Sequence, residues 1–593
     1  MTLLIRTKPS GPLVLSLVAV VLLVASTGTA QTAPRATSAK PKFSKAAAFD
    51  VSLPLHALAS AAPFRMAPRA SSHRLVEIRP ERGPVVKDQG YSGDGALQGA
   101  SGLRVQNAAA TIPAPLLTFE GISNQDNFNI FGFRVNPPDP VGDVGPNHYV
   151  EMANLAYAVF DKQGNLLLGP VDTGTLWAGF AIPDCTDASG DPIVLYDQLE
   201  DRWLLTQFTT RFTADPQNDV FYNCVAISVT GDPTGAYFRY AFTSGNFFPD
   251  YPKYGVWENS YVLTSRDFGP TVEYGISVYA LEKDKMIAGD PNARAVKFFL
   301  DSAVVPINLI GDGLLPADID GEREPKDDAA IPIIGTQDDG GPYGATSDAL
   351  NIWDLSIKWK KTPKASLVFR GSFPAAPFDS VFPCGVVPGT LPPSSRDCLP
   401  QPGITNGSQF IDILSYRQRP TWRLAYRNFG KYEALVTNQS VEALPGVAGV
   451  RWYEIRRTKG QYSVFQQGTY APGDGVHRWM GSVAMDAQGN MGLGYSVVNG
   501  VDVFPGIRYT GRLAGDAPGQ MTLGEATIVD GTGVQRTTNS RWGDYTSLNV
   551  DPTDDCTFWY VNEYYTLAGQ LSSTAGWQTR IGSFKIPGCQ AED

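Results

Sequence analysis

Charged and aromatic residues recur at the start of seven short apolar runs, and their types limit the chemistry open to them. The runs are GDVGPNHYVEM from Gly142, GDPIVLYDQLEDRWLLTQF from Gly190, DYPKYGVWENSYVLTS from Asp250, PADIDG from Pro316, YRNFGKYEALVTN from Tyr426, RWMGSVAMDAQGNMGLGYSV from Arg478 and RWGDYTSLNV from Arg541. The first four carry Asp143, His148, Asp191, Asp250, Lys253 and Asp318; the last three carry Arg427, Arg478, Trp479, Arg541, Trp542 and Asp544. If all seven starts share one face of the fold, an acidic half meets a basic, aromatic half. Arg427, Arg478 and Arg541 would then form a clamp for a carboxylate or sulfate, because guanidinium is planar, bidentate and always charged. Lys253 would add a cation, and Trp479 and Trp542 flat apolar platforms for a sugar ring. Asp143, Asp191, Asp250 and Asp544 would supply the paired carboxyls of glycoside hydrolysis, with His148 as the histidine base. The competing reading is structural: Arg and Asp tie neighbouring repeats together, Trp fills core, and a lone histidine at a strand start is ordinarily a packing residue.

Calcium is the candidate structural ion, held by Asp318 and Asp320 in ADIDGE, or by Asp551, Asp554 and Asp555 in DPTDD, since clustered turn carboxylates suit a hard cation. Neither stretch completes an EF-hand loop. Adjacent pairs such as Asp544–Tyr545 and Glu563–Tyr564 are set aside as a nucleophile with its activator, because successive side chains on a strand face opposite ways. The sequence has no GxxxxGK[ST], GxSxG or HExxH, and only His148 and His477 lie beyond residue 115, which excludes a multi-histidine metal centre.

Repeated short strands must position these residues. From Asp143 through Asp191, Asp250, Asp318, Arg427 and Arg478 to Arg541 the steps are 48, 59, 68, 109, 51 and 63 residues. Most of these suit a four-stranded propeller blade with loop insertions. The long step holds strands near 350–370 and then a Pro-rich Cys384–Cys398 stretch, read as one blade plus an inserted loop, with eight blades as the alternative to seven. FDKQGNLLLG and MDAQGNMGLG share a D-x-Q-G-N turn between apolar runs, a link between adjacent strands. A strand near Leu116–Phe119 is expected to pair with RIGSFKIPG and close the ring. With 60 Gly, 45 Pro and 11% aromatic residues in 593, an all-β fold suits the composition better than a helical one.

The chain is acidic, with a formal net charge of -11, which argues against a nucleic-acid partner. Arg6 and Lys8 precede the apolar run Leu13–Ala25, and Gly28 and Ala30 follow, the order of a signal peptide cleaved near Ala30 and of a secreted or periplasmic protein. No later segment is long enough to cross a membrane. Residues 31–115 read as a basic, Ala/Pro-rich flexible leader, and 116–593 as the propeller domain. Six cysteines in an exported chain read as disulfides; sequential pairing closes three local loops, although six cysteines allow 15 arrangements.

PPDPVGDVGPNHYV, DYPKYGVW, RLAYRNFGKYEALVTN, GVRWYEIR, RYTGRL and RWGDYTSLNVDPTDDCTFWYVNEYY together resemble a widespread group of secreted bacterial proteins with a β-propeller core. The resemblance spans about 116–589 and implies the fold and export; no catalytic residues carry over from it. The D-x-Q-G-N turns are similar to degenerate Asp-box turns of sialidase-type propellers, which use an arginine triad, but they lack that motif's Ser, Thr and Trp positions. Two function classes follow. One is an exported propeller, calcium-stabilised, that recognises a glycan or other envelope ligand on its channel face. The other is a hydrolase or lyase of an acidic saccharide.

Overall fold

A computed structural model describes residues 39–61, 75–77, 90–99 and 111–590, apart from 271–273, 327, 383, 385–388, 390, 392–396, 414–418 and 538–539. The expected signal peptide lies outside the described residues. Seven strands begin the successive structural units: Val141–Val144, Ile193–Asp197, Phe248–Val256, Leu315–Ile319, Thr421–Asn428, His477–Met485 and Ser547–Val550. Each packs beside the next, and the last packs beside the first, so these inner strands close a ring. Outward from each runs an antiparallel ladder of four strands; the second and third ladders carry a fifth strand at the outer edge, and the last takes its fourth from a segment before the first. The protein is a β-propeller. Between the fourth and fifth units the inner strands pair directly and in parallel, Ala317 opposite Leu424 and Ile319 opposite Tyr426.

Sequence accounts for this layering. The strands of the third unit, Ser260–Phe268 and Gly275–Glu282, are buried along their whole length, because neighbouring units cover both faces of each sheet. They read accordingly without polar–apolar alternation, the apolar runs Tyr261–Leu263 and Val278–Leu281 lying beside buried polar residues. Both D-x-Q-G-N segments form hairpin turns built alike. Asp161 Oδ1 accepts from the backbone N–H of Gln163 and Asn165, Asp486 Oδ1 from those of Gln488 and Asn490, and Gly164 and Gly489 take φ +84° and +78°.

The ring closes as expected. Leu117–Ser123 adds the fourth strand to the last unit by pairing with Trp577–Lys585, Phe119 opposite Ile581. Glu151 of the first unit locks this seam, since its carboxyl accepts from Ile122 N at 2.9 Å and Thr579 Oγ1 at 2.5 Å. Burial pushes the Glu151 carboxyl up to about 7. A carboxyl raised on folding stabilises most while protonated, and that contribution is lost as pH rises through the folded value. The melting temperature should therefore fall between about pH 4.5 and 7 and level off above that. Glu151→Gln, which stays neutral, should flatten that fall; an unchanged slope in thermal melts across this range would refute the assignment.

Part of the stretch expected as leader belongs to the sheets. Lys42–Lys45 pairs with Arg294–Leu300 at the outer edge of the third unit, and Ala48–Val51 with Tyr237–Gly245 at the edge of the second. The helix Leu55–Ala61 follows and buries Leu55 and Leu58. Ala- and Lys-rich composition hid these short edge strands. Between the fourth and fifth units, Asp397–Leu399 and Ile411–Asp412 form a two-stranded ribbon. The disulfides are Cys185–Cys224, Cys384–Cys398 and Cys556–Cys589, the sequential arrangement. Among the described residues no helix is long and apolar enough to cross a membrane.

Candidate functional site

The inner strands run in one direction around the axis. Side-chain bonds tie equivalent levels: Gly142 N donates to Ser547 Oγ, Tyr196 N to Asp143 Oδ2, Val256 N to Asp318 Oδ1 and Leu548 N to Ser482 Oγ. The end at which these strands begin is here the upper end, and that at which they finish the lower.

At the upper end, charged side chains from separate units meet. Asn154 bridges two of them: its Nδ2 donates to Asp139 Oδ2 at 2.6 Å, and its Oδ1 accepts from Asp191 N at 2.9 Å. Asp139 Oδ1 accepts from Asp544 N at 2.6 Å, and Asp191 Oδ2 from Tyr545 OH and Tyr251 N, both at 3.2 Å. Arg541 pairs with Asp544 at 2.9 Å, and Arg419 approaches the same carboxylate at 3.7 Å. Lys253 Nζ lies 3.0 Å from the ring centroid of Tyr251 and 3.5 Å from that of Tyr545, a cation between two aromatic faces. Glu563 closes the cluster by accepting from Gly543 N.

Burial governs the protonation of this cluster. It pushes Asp139 up to about 7, aided by the Asp544 carboxylate and opposed by Arg541. It raises Asp191 well above the usual carboxylate range, with Asp139, Asp250 and Asp544 adding to the effect, and raises Glu563 likewise. Lys253 is pushed well below the ordinary ammonium range by burial and then by Arg419. Backbone conformation marks the same level: Asp139, Asp191 and Tyr251 take φ of +47°, +50° and +52° in three successive units. Left-handed non-glycine residues cost free energy, and such strain gathers where side chains must be aimed. Residual exposure of 7% at Asp191, 6% at Asp544 and 8% at Arg541 gives the cluster its contact with solvent.

Of the residues singled out in the sequence, Asp191, Asp250, Lys253, Arg541 and Asp544 come together here. The others do not. Asp143 lies further down the axis, buried, accepting from Tyr196 N and Val144 N, and burial pushes it up to about 8. Arg427 sits at the lower end, bidentate to Asp555, on the wall of a cavity of about 330 Å³. Arg478 turns into its own sheet, paired with Asp474 and Glu525. The three arginines are therefore no clamp, since each is taken by its own carboxylate. Trp479 and Trp542 are fully buried, 5.2 Å apart between centroids, and fill core between the last two units, not a ligand surface. His148 begins the second strand of the first unit opposite Asp161, and burial lowers its imidazole.

The carboxylates suggested for calcium hold a guanidinium instead. Arg423 Nε donates to Asp318 Oδ2 at 2.7 Å, its terminal nitrogens bond both oxygens of Asp320, and Nη1 reaches Leu548 O of the last unit at 3.1 Å. Asp551 pairs with Lys162 and Asp554 with Lys585.

Sequence reasoning missed Asp139, Asn154, Arg419 and Arg423, and set aside Tyr545 and Glu563. Strand alternation does separate Glu563, which bonds Gly543 N, from Tyr564, which bonds Glu120. It does not separate Asp544 from Tyr545, because both precede the strand that starts at Ser547.

No family model matches the chain, and no curated protein does. Among solved structures it is similar to the endo-arabinase from Bacteroides thetaiotaomicron VPI-5482, at 13% identity over 54% of this chain and 92% of that one, with a TM-score of 0.25. It is similar to the Penicillium chrysogenum alpha-L-arabinanase complexed with arabinobiose, at 9% identity over 57% of this chain and 94% of that one, with a TM-score of 0.27. A protein of unknown function from Dyadobacter fermentans DSM 18053 is similar at 10% identity over 57% of this chain and 95% of that one, with a TM-score of 0.21.

Proposed function

We propose that the upper cluster is the acid–base centre of an exported, glycan-active hydrolase. The observation that carries this reading is the meeting of Asp139, Asp191 and Asp544 from three units, with Asp139 held at about 7 beside an Asp544 that is ion-paired to Arg541. Neighbouring carboxyls in unlike environments are what glycoside hydrolysis needs. The protonated Asp139 gives its proton to the leaving glycosidic oxygen. The Asp544 carboxylate takes a proton from water, whose oxygen replaces the leaving oxygen on the sugar carbon. Asp191, bonded to Tyr545 and Tyr251, positions this pair through Asn154.

The test is product formation by the purified protein on a panel of acidic and neutral polysaccharides. Asp139→Asn and Asp544→Asn should each lower turnover about 10²–10⁴-fold. Activity should fall as pH rises through about 7, where Asp139 loses its proton. Arg478→Ala, away from the cluster, should leave turnover per folded molecule unchanged. No turnover on any polymer, with binding retained, would favour the second reading, a recognition propeller. That reading is supported by the burial of the cluster and by the pairing of Asp544 with two arginines.

A further inference from the structure

Two cavities flank the turn that leads into the inner strand of the third unit, and both include Asn246. The first, about 250 Å³, is walled by Phe212, Phe221, Phe248 and Phe268, with the carboxylates Asp219 and Asp250 also in its lining. Phe212, Phe221 and Phe248 pack with centroids 4.8–5.6 Å apart, and Phe212 remains 47% exposed. Asp250 is close enough to Asp191 to raise its proton affinity, so this cavity adjoins the upper cluster.

The second cavity, about 370 Å³, has the opposite charge to the protein as a whole. Lys40, Lys42 and Lys297 line it beside Phe247 and Phe299, and no carboxylate does. Lys42 stands directly opposite Lys297 across antiparallel strands, a like-charge pair that costs stability on its own. Asp267 neutralises Lys297 from behind at 3.0 Å. Lys40 and Lys42 have no carboxylate partner among the described residues, so this edge strand holds uncompensated positive charge over aromatic walls.

We propose that the lysine cavity is a subsite for the anionic substituent of an acidic polysaccharide, whose chain runs past Asn246 and the phenylalanine cavity toward the upper cluster. Charged oxygens meet the lysines, and sugar faces meet the phenylalanine rings. The inference supplies the substrate class for the hydrolase reading and rests on that reading only for what happens at the reacting end.

Binding of the full protein to polygalacturonate, heparin, neutral arabinan and a duplex DNA is measured by calorimetry. Wild type should prefer one of the two acidic polysaccharides, the carboxylated or the sulfated arm identifying the substituent, and the affinity should fall with added salt. Lys40→Glu/Lys42→Glu should weaken that binding about tenfold or more at an unchanged melting temperature. Both lysines are exposed, and the carboxylate introduced by Lys42→Glu would face Lys297 favourably. Unchanged affinity in this variant, equal binding of arabinan, or tighter binding of DNA would overturn the proposal. Asp139→Asn separates the two readings: acidic-polymer binding that survives in it but is lost in the lysine variant upholds the subsite, even where no polymer is cut.

Discussion

Replacing Arg423 with Ala should cost about 3–5 kcal/mol of folding stability, because it leaves buried carboxylates without their cation. Arg423 is 1% exposed and supplies the positive charge for Asp318 and Asp320, with Asp143 close enough to feel it. It also donates to Leu548 O, so one guanidinium joins the fourth, fifth and seventh units across the axis. Without it the carboxylates escape their charge only by protonation. The stability of the variant should therefore be highest in mild acid and fall as pH rises, more steeply than that of the parent. Adding Asp318→Asn and Asp320→Asn should restore part of the loss. Urea unfolding at two pH values measures all three effects, and an Arg423→Ala protein as stable as the parent would show that the axis is not held by this pair.

Gly121→Val should be nearly as damaging, at about 3 kcal/mol or more, because it combines overpacking with a broken buried hydrogen-bonded seam. A Cβ at Gly121 would overlap Glu151 Oε2 and Thr579 Oγ1. Both are fully buried and bonded to the Ile122 backbone, so withdrawing either breaks the ring closure. The closing strand Leu117–Ser123 would lift from Trp577–Lys585 and expose the edge of the last unit. Limited proteolysis should then cut the variant within 111–123 under conditions that leave the parent whole; equal resistance would mean that the seam tolerates the side chain.

The repeat was legible in the sequence because each unit restarts with the same turn chemistry, and the partner of the closing strand could be named from its apolar pattern. The sequence left 15 cysteine arrangements open, and the structure takes the sequential one, with Cys384–Cys398 in the insert between the fourth and fifth units. The level of each side chain along the axis was not legible. Asp191 stands two residues before its inner strand, Asp143 third in its strand and Arg427 seventh in its own. At about 3.3 Å per residue, such offsets carry a side chain from one end of the channel to the other. Level separates Arg427 from the other two arginines, whereas Arg478 is drawn into its own sheet by Asp474 and Glu525. One signal was available for Arg423: a charge inside the apolar strand TWRLAYRN cannot be buried alone.

The two edge strands Lys42–Lys45 and Ala48–Val51 have a mechanical consequence. They lie on neighbouring units with only Ala46 and Ala47 between them, and these two bond to Ala293 O and Ala241 O on either side of the joint. Tension applied through the N-terminal stretch would load Lys42–Lys45 first and peel it residue by residue, one or two hydrogen bonds at a time. Ala48–Val51 would yield next. The helix Leu55–Ala61 and the stretch 90–99, which Asp94 ties to Arg451, stand further along, so load entering from the N-terminal side would meet several successive anchorages before it reached the closing strand Leu117–Ser123.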